Sequence, residues 1–343
     1  MKIKVGVIGC GSIALNRHIP EFMANPDAEL IAICDNVKER VWKKAQELGV
    51  KAFTDYKELL ALKELDAVCV CTTNVLHAQM TVEALKAGKH VLCEKPMATT
   101  LEDANQMIRA AQETEKFLMI GHNQRLTPAH ERAKEIIQSN RLGRILTFRT
   151  VFGHQGCEYW AADKQETWFF KKEHSAFGSS ADLGIHKADL VRWLIGENIV
   201  EVSAFAEVRD KKNQKGQLIS VDDNAVCLLK SESGVIGTLV SSWTYAREEN
   251  STTLYFEKGL MRIYDSPQYD LVLQLQDGTA EFYQIAPIQT NASQSKSGVA
   301  DAFIESIVKG QKPAISGEEG YEALKIILGC LQSAQEKRTV RIN

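Results

Sequence analysis

Two groups of residues, far apart in the chain, carry side chains suited to proton and charge chemistry: Glu94-Lys95-Pro96 and Asp182-Leu183-Gly184-Ile185-His186. Lys95 stands where the apolar run His90-Val91-Leu92-Cys93 stops, held between a carboxylate and a proline. If that run is a strand of a doubly wound sheet, the lysine lies at its carboxyl end, where such sheets bind ligands. It is then a candidate catalytic group; the bland reading is a surface lysine beside a proline. The i, i+4 spacing of Asp182 and His186 stacks the pair on one face of a helix start. A carboxylate against an imidazole fixes its tautomer and stabilises its charged form, as a general base requires. The competing reading is an N-capping Asp182 with an incidental His186. Leu183, Leu190, Val191 and Leu194 supply the core stripe of that helix, and the pair falls outside it.

A third motif, Gly9-Cys10-Gly11-Ser12-Ile13-Ala14, follows a strand and opens a helix. In a G-x-G-x-x-A turn the first glycine permits the tight bend and the second admits a pyrophosphate to the backbone. The alanine keeps the helix close to the strand, and the helix N-terminus faces the phosphates. Alone, the motif is also compatible with a simple strand-to-helix turn. Asp35, at the end of Ile31-Ala32-Ile33-Cys34, stands about 20 residues beyond, where an acid bonds a ribose 2′-hydroxyl. A carboxylate there repels a 2′-phosphate, so NAD is favoured over NADP; Lys38 and Arg40 lie nearby and read as the solvated face of the next helix. The competing reading of Asp35 is an acid that merely starts a loop. Thr72-Thr73-Asn74 and His77 follow the strand Ala67–Cys71, placed to reach a cofactor, while Asn74 equally suits a helix cap.

The elements that must position these residues change character near residue 122. Before it, short apolar strands (Val5–Ile8, Leu30–Cys34, Ala67–Cys71, His90–Cys93, Phe117–Ile120) alternate with helices from Ser12, over Lys38–Leu48, Ala78–Ala87 and Leu101–Thr114. That alternation predicts an α/β Rossmann domain over 1–122 with a parallel sheet covered on both faces. Residues 123–343 read as an α+β domain. It has helices near Ala129–Gln138 and Leu183–Ile195, a strand over Ile145–Phe152, and then a large, mostly antiparallel open sheet. The sharpest hairpin signal in that sheet is Asp277-Gly278. Gln289–Ser297 reads as a surface loop, and helices near Val299–Lys309 and Glu319–Gln335 close the chain.

Composition narrows the class. A chain of 343 residues with 44% hydrophobic and 25% charged residues is an ordinary soluble protein with room for two domains. A net charge of −3 argues against nucleic acid or an anionic membrane as partner. No apolar stretch approaches the roughly 20 residues a membrane helix needs, and the lysine-interrupted N-terminus is no signal peptide. The eight cysteines show no CxxC, and Cys69-x-Cys71 points two thiols to one strand face, which reads as packing in a reducing cytoplasm. No zinc-ligand cluster is visible, and no metal is expected.

Taken in order and interval, Gly9-x-Gly11-x-x-Ala14, Glu94-Lys95-Pro96 and Asp182-x-x-x-His186 resemble the glucose–fructose oxidoreductase/inositol dehydrogenase/MocA family over essentially the whole chain. Glu-Lys-Pro following Gly88-Lys89-His90-Val91 is the most specific element, and Gly121–Pro128 resembles the family's hinge between domains. The resemblance implies NAD(P)-dependent oxidation of a secondary hydroxyl of a sugar, glycoside or polyol, without a metal, by a homodimer or homotetramer joined through the C-terminal sheet. It implies that His186 removes the hydroxyl proton, Lys95 hydrogen-bonds the same oxygen and Asp182 orients substrate and imidazole. Cofactor contacts are implied for Gly9, Gly11, Ser12, Ile13, Asp35, Thr72, Asn74, His77, Glu94, Lys95 and Arg125. Substrate contacts are implied for Lys95, His154, Trp168, Asp182 and His186. The Lys95–Pro96 peptide is often cis in relatives. The aromatic stretch from Phe152 to Phe170 is faintly closer to members oxidising glucosides or anhydrosugars, whereas Phe177 replaces a glycine common before Asp-x-x-x-His. An NAD-retaining glycosidase and a non-catalytic dinucleotide sensor remain the alternatives.

Overall fold

Six short strands form a parallel sheet: β1 (Ile3–Ile8), β2 (Ala28–Cys34), β3 (Lys51–Phe53), β4 (Ala67–Val70), β5 (His90–Cys93) and β6 (Leu118–Ile120). Their order is β3-β2-β1-β4-β5-β6, the doubly wound arrangement with its switch point between β1 and β4. Val5, Val7, Val68, Val70, Val91 and Leu92 are all buried, as strands covered on both faces must be. The computed structural model describes residues 2–161, 163–288, 290 and 295–342. The chain divides into one unit of Met1–Asn123 with Thr290–Tyr321 and another of Gln124–Gln289 with Glu322–Asn343.

The second unit is built on nine strands: β7 (Ile145–Gly153), β8 (Ile199–Glu207), β9 (Asn224–Ser231), β10 (Ile236–Ser242), β11 (Thr252–Phe256), β12 (Gly259–Ile263), β13 (Leu271–Leu275), β14 (Ala280–Tyr283) and β15 (Val340–Arg341). They run in the order β14-β13-β12-β11-β7-β10-β9-β8-β15. Among the described residues, only the β7–β10 pair of this sheet is parallel. The Asp277-Gly278 turn joins β13 to β14, with Gly278 at φ +89° and Leu275 N–H bonded to Thr279 O at 2.8 Å. One sheet face carries alternating exposed apolar side chains, among them Phe205 of β8 and its cross-strand partner Val226 of β9, with Leu228 and Ile236.

Some features stand beside the sequence reading. Residues 290–321 group with the first compact unit. The helix Val299–Lys309 packs against β1, β5 and the helix Ile19–Ala24. Glu21 accepts the backbone N–H groups of Ser297 and Ala300 at the start of that helix, and Asn25 donates to Asp301 at 2.7 Å. Of the loop expected over Gln289–Ser297, residues 289 and 291–294 lie outside the described residues. Finally, the helices expected from Ser12 and Leu183 each contain a π-helical turn, Ala14–His18 and Ser180–Gly184. Such turns cluster at functional sites, and here each adjoins a motif singled out by sequence.

Candidate active site

In the first unit the glycine turn leaves β1 with Gly9 at φ +95°. A Cβ there would stand 2.5 Å from Cys71 O, so only glycine fits. At Gly11 a Cβ would meet nothing within 4 Å, which leaves the backbone open to close approach by a phosphate. Ser12 and Ile13 form the first helical residues beyond it. Asp35 is buried and holds two turns at once: Oδ2 accepts Cys10 N–H at 2.8 Å, and Oδ1 accepts Val37 N–H at 2.8 Å. The ribose-binding and loop-starting readings of Asp35 are therefore compatible, since a carboxylate offers about four acceptor sites. Arg40 lies 3.4 Å from Oδ2.

Beyond β4, the cap position of helix Asn74–Lys86 is Thr73, not Asn74. Asn74 is its first residue and is buried. His77 is buried as well. Nδ1 lies 2.8 Å from Pro96 O and Nε2 3.1 Å from Thr72 O, so the ring braces the Thr72 turn against the Glu94–Pro96 turn. Glu94, at the end of β5, is also buried. Oε1 accepts from His18 Nε2 at 2.7 Å, with Arg17 at 4.0 Å, and Oε2 accepts the N–H of Lys95 at 3.1 Å. Burial pushes the Glu94 carboxyl up, but His18, Arg17 and Lys95 outweigh it and hold it at about 2. Gly121, at the end of β6, leaves room for this carboxylate, since a Cβ would come within 3.2 Å of Oε1. Lys95 itself is half-buried, and the Lys95–Pro96 peptide is cis.

In the second unit Asp182 sits in the π turn Ser180–Gly184, and His186 one turn on in the helix Ile185–Ile195. Both are buried. Asp222, distant in sequence, clamps the lead-in: its carboxylate accepts the N–H groups of Gly178 and Ser180 and both serine hydroxyls at 179 and 180. A Cβ at Gly178 would fall 1.7 Å from Asp222 O, so Gly178 is the obligatory glycine beside the unusual Phe177. The fully buried Trp243 donates its indole N–H to Asp182 Oδ2 at 3.1 Å. The His186 ring lies 6.0 Å from that of Phe152 in β7. Sequence signals for Asp222 and Trp243 were absent, because each acts through a contact between distant segments.

The remaining expected residues are placed differently. His154 Nδ1 accepts Gly156 N–H at 2.9 Å, which shapes its own loop. Trp168 stacks on Phe169 at 3.9 Å, and Phe152, Phe170 and Trp243 belong to one core cluster, so most of the aromatic stretch is packing. Arg125 is a buried bidentate partner of Asp189, at 2.7 and 2.5 Å.

Lys187 was missed. It is fully buried, under the Phe152 ring and 3.5 Å from Thr252 Oγ1. Burial drives its amine down from 10.5 to about 7, against the opposing pull of Glu248 and Glu249. The unfolded chain keeps that proton up to about 10.5 while the folded chain releases it near 7. Folding stability therefore rises with pH across this window. Lys187→Met is expected to remove that rise and to stabilise the fold near pH 7 by on the order of 4 kcal/mol. Urea unfolding of both proteins at the two ends of the window checks this; identical pH slopes would contradict it.

Comparison with known proteins agrees with this geometry. Residues 3–122 match the family described as "Oxidoreductase family, NAD-binding Rossmann fold", and residues 130–262 match its GFO/IDH/MocA C-terminal domain. The chain is 28% identical over 344 residues to myo-inositol 2-dehydrogenase of Thermotoga maritima, covering 99% of this chain and 98% of that protein. It is 30% identical over 241 residues to glucose-6-phosphate 3-dehydrogenase of Bacillus subtilis, covering 70% and 67%. The crystal structure of aldose-aldose oxidoreductase from Caulobacter crescentus, complexed with glycerol, superposes with a TM-score of 0.85 at 26% identity, covering 99% and 100%. The chain belongs to the GFO/IDH/MocA family of NAD-binding oxidoreductases.

Proposed function

We propose that this protein oxidises a secondary hydroxyl of a sugar, glycoside or polyol to a ketone, using NAD in preference to NADP. The observation that carries the reading is the placement of Lys95. It leaves β5 at the carboxyl end of the sheet whose β1 ends in the open Gly9–Gly11 turn, and the buried His18–Glu94 bond anchors its neighbour. NAD, when bound, supplies the hydride acceptor. Gly9, Gly11, Ser12 and Ile13 hold its pyrophosphate end, and Asp35 takes the ribose hydroxyl. Asn74 and Thr72 line the same sheet edge, with His77 bracing them. Lys95 donates a hydrogen bond to the substrate oxygen and steadies charge as it develops there. His186 accepts the hydroxyl proton, and Asp182, tethered by Trp243, orients the substrate and the ring. The relatives' names, which specify inositol and glucose 6-phosphate, support the substrate class. The two domains follow the division into two units, with residues 290–321 assigned to the cofactor side.

We assign the exposed apolar sheet face bearing Phe205, Val226, Leu228 and Ile236 to pairing with a second copy, as a dimer or tetramer in the cytoplasm. The activity is tested by incubating purified protein with NAD and a panel of inositols, aldoses, glucosides and anhydrosugars. Reduced nicotinamide is expected with at least one; cofactor binding without turnover across the panel would overturn the proposal. Asp35→Ser is expected to shift the NADP-to-NAD ratio of kcat/KM upward by at least about tenfold, about 1.4 kcal/mol. Steady-state kinetics with both cofactors reads it, and an unchanged ratio would remove Asp35 from cofactor choice.

A further inference from the structure

We propose that His18, Cys69 and Cys71 form a binding site for a single Cu(I) ion beneath the glycine turn of the first unit. The sequence shows no such site, because the histidine comes from the π turn after the glycines and the thiols from β4 and its end. The fold brings one ligand atom of each within 4.8 Å of the others, and all three residues are buried. Cys69 Sγ and Cys71 Sγ are 3.3 Å apart, on one face of the strand as their i, i+2 spacing requires.

The second observation is the state of His18. Its Nε2 is engaged by Glu94 Oε1 at 2.7 Å, whereas Nδ1 is buried with no hydrogen-bond partner. With Nε2 engaged by the carboxylate, Nδ1 is the nitrogen left for a ligand. A carboxylate behind a ligating histidine is the arrangement that orients imidazoles at metal sites. Two thiolates and one imidazole are a soft donor set of the kind that selects Cu(I) or zinc. Structural zinc takes four ligands; among the described residues only these three converge here, and three suit Cu(I). Coordination displaces both thiol protons, and any proton on Nδ1, to solvent, and copper remains Cu(I) throughout.

The test is anaerobic titration of the full-length protein with Cu(I) against bicinchoninate. Wild type is expected to retain one ion per chain, with sulfur-to-copper charge-transfer absorption and X-ray absorption showing two sulfurs and one nitrogen. Cys69→Ser or Cys71→Ser is expected to abolish retention. Glu94→Gln is expected to weaken it by about 10- to 100-fold, as for other residues behind a ligand. Cys227→Ser is the control, since Cys227 and Cys330 form the other adjacent thiol pair, and it is expected to retain the ion. The proposal is overturned if wild type yields all copper to the competitor, if retention survives the double change at 69 and 71, or if it is lost in Cys227→Ser. Should the serine variants fail to fold by circular dichroism, the wild-type X-ray absorption decides, and a sulfur-only shell overturns the site.

Discussion

Replacing Lys95 by methionine is expected to lower kcat/KM for sugar oxidation by about 100- to 1,000-fold, the loss typical of removing one donor to a developing oxyanion. Methionine keeps the length and apolar stem but removes the ammonium. Because Lys95 is assigned to charge that develops in the transition state, the loss is expected in kcat more than in KM. Affinity for NADH in the absence of sugar is expected to change little, since the proposal assigns that contact mainly to Asp35 and the Gly9 turn. Fluorescence titration of NADH and steady-state kinetics separate the two effects. The fold is expected to be intact, because the buried partners of this turn are Glu94, His18 and His77, which the substitution leaves in place. A variant with unaltered kcat would place the substrate oxygen elsewhere.

The second large effect is expected at His186. His186→Asn keeps a polar group of similar reach but cannot take up a proton, and a positioned general base contributes about 100- to 10,000-fold. The diagnostic is the pH profile. A base must be unprotonated to act, so wild-type kcat/KM is expected to fall as pH drops through its pKa. In the variant that acidic limb disappears and the residual rate rises with hydroxide instead. A variant that is slow but keeps the wild-type limb would show that another group takes the proton. Asp182→Asn offers the complementary comparison, because the single amide oxygen of asparagine can take over the Trp243 indole N–H while the negative charge is gone.

Local chemistry made the first unit readable. The glycine turn, the short apolar strands and the position of Lys95 after His90–Cys93 depend on residue types within a few positions of each other, and each appears where the pattern puts it. The Asp277-Gly278 hairpin was readable for the same reason, since a two-residue turn carries its own backbone requirement. What escaped depends on contacts between distant segments. Asp222 holds Gly178–Ser180 across about forty residues of chain, and no spacing rule links them. Arg125 and Asp189, 64 residues apart, are each other's buried partner, a pairing no local pattern signals. Lys187 drew no reading because helical periodicity reports one stripe, and this helix is buried on more than one side. The return of residues 290–321 to the first unit rests on Glu21 and Asn25, acids and amides that any surface helix might carry. The His77 ring lies between Pro96 O and Thr72 O, and Phe152 and Phe170 share one core cluster with Trp243.

The π turns at Ala14–His18 and Ser180–Gly184 sharpen the site further. Each departs from the regular helix that periodicity predicts, and each lies beside a candidate cofactor or substrate residue. Local sequence preference and observed backbone disagree where chemistry is assigned, as expected when function and regular structure compete.

The most direct measurement follows the hydrogen on the oxidised carbon. A substrate identified from the panel is prepared with deuterium on its reacting carbinol carbon, and the reduced cofactor is recovered and weighed by mass spectrometry. Direct transfer predicts one deuterium on the nicotinamide for each ketone formed, with none lost to water. Product formed with an unlabelled cofactor, or with the label released to solvent, would contradict hydride transfer as the reaction of this protein.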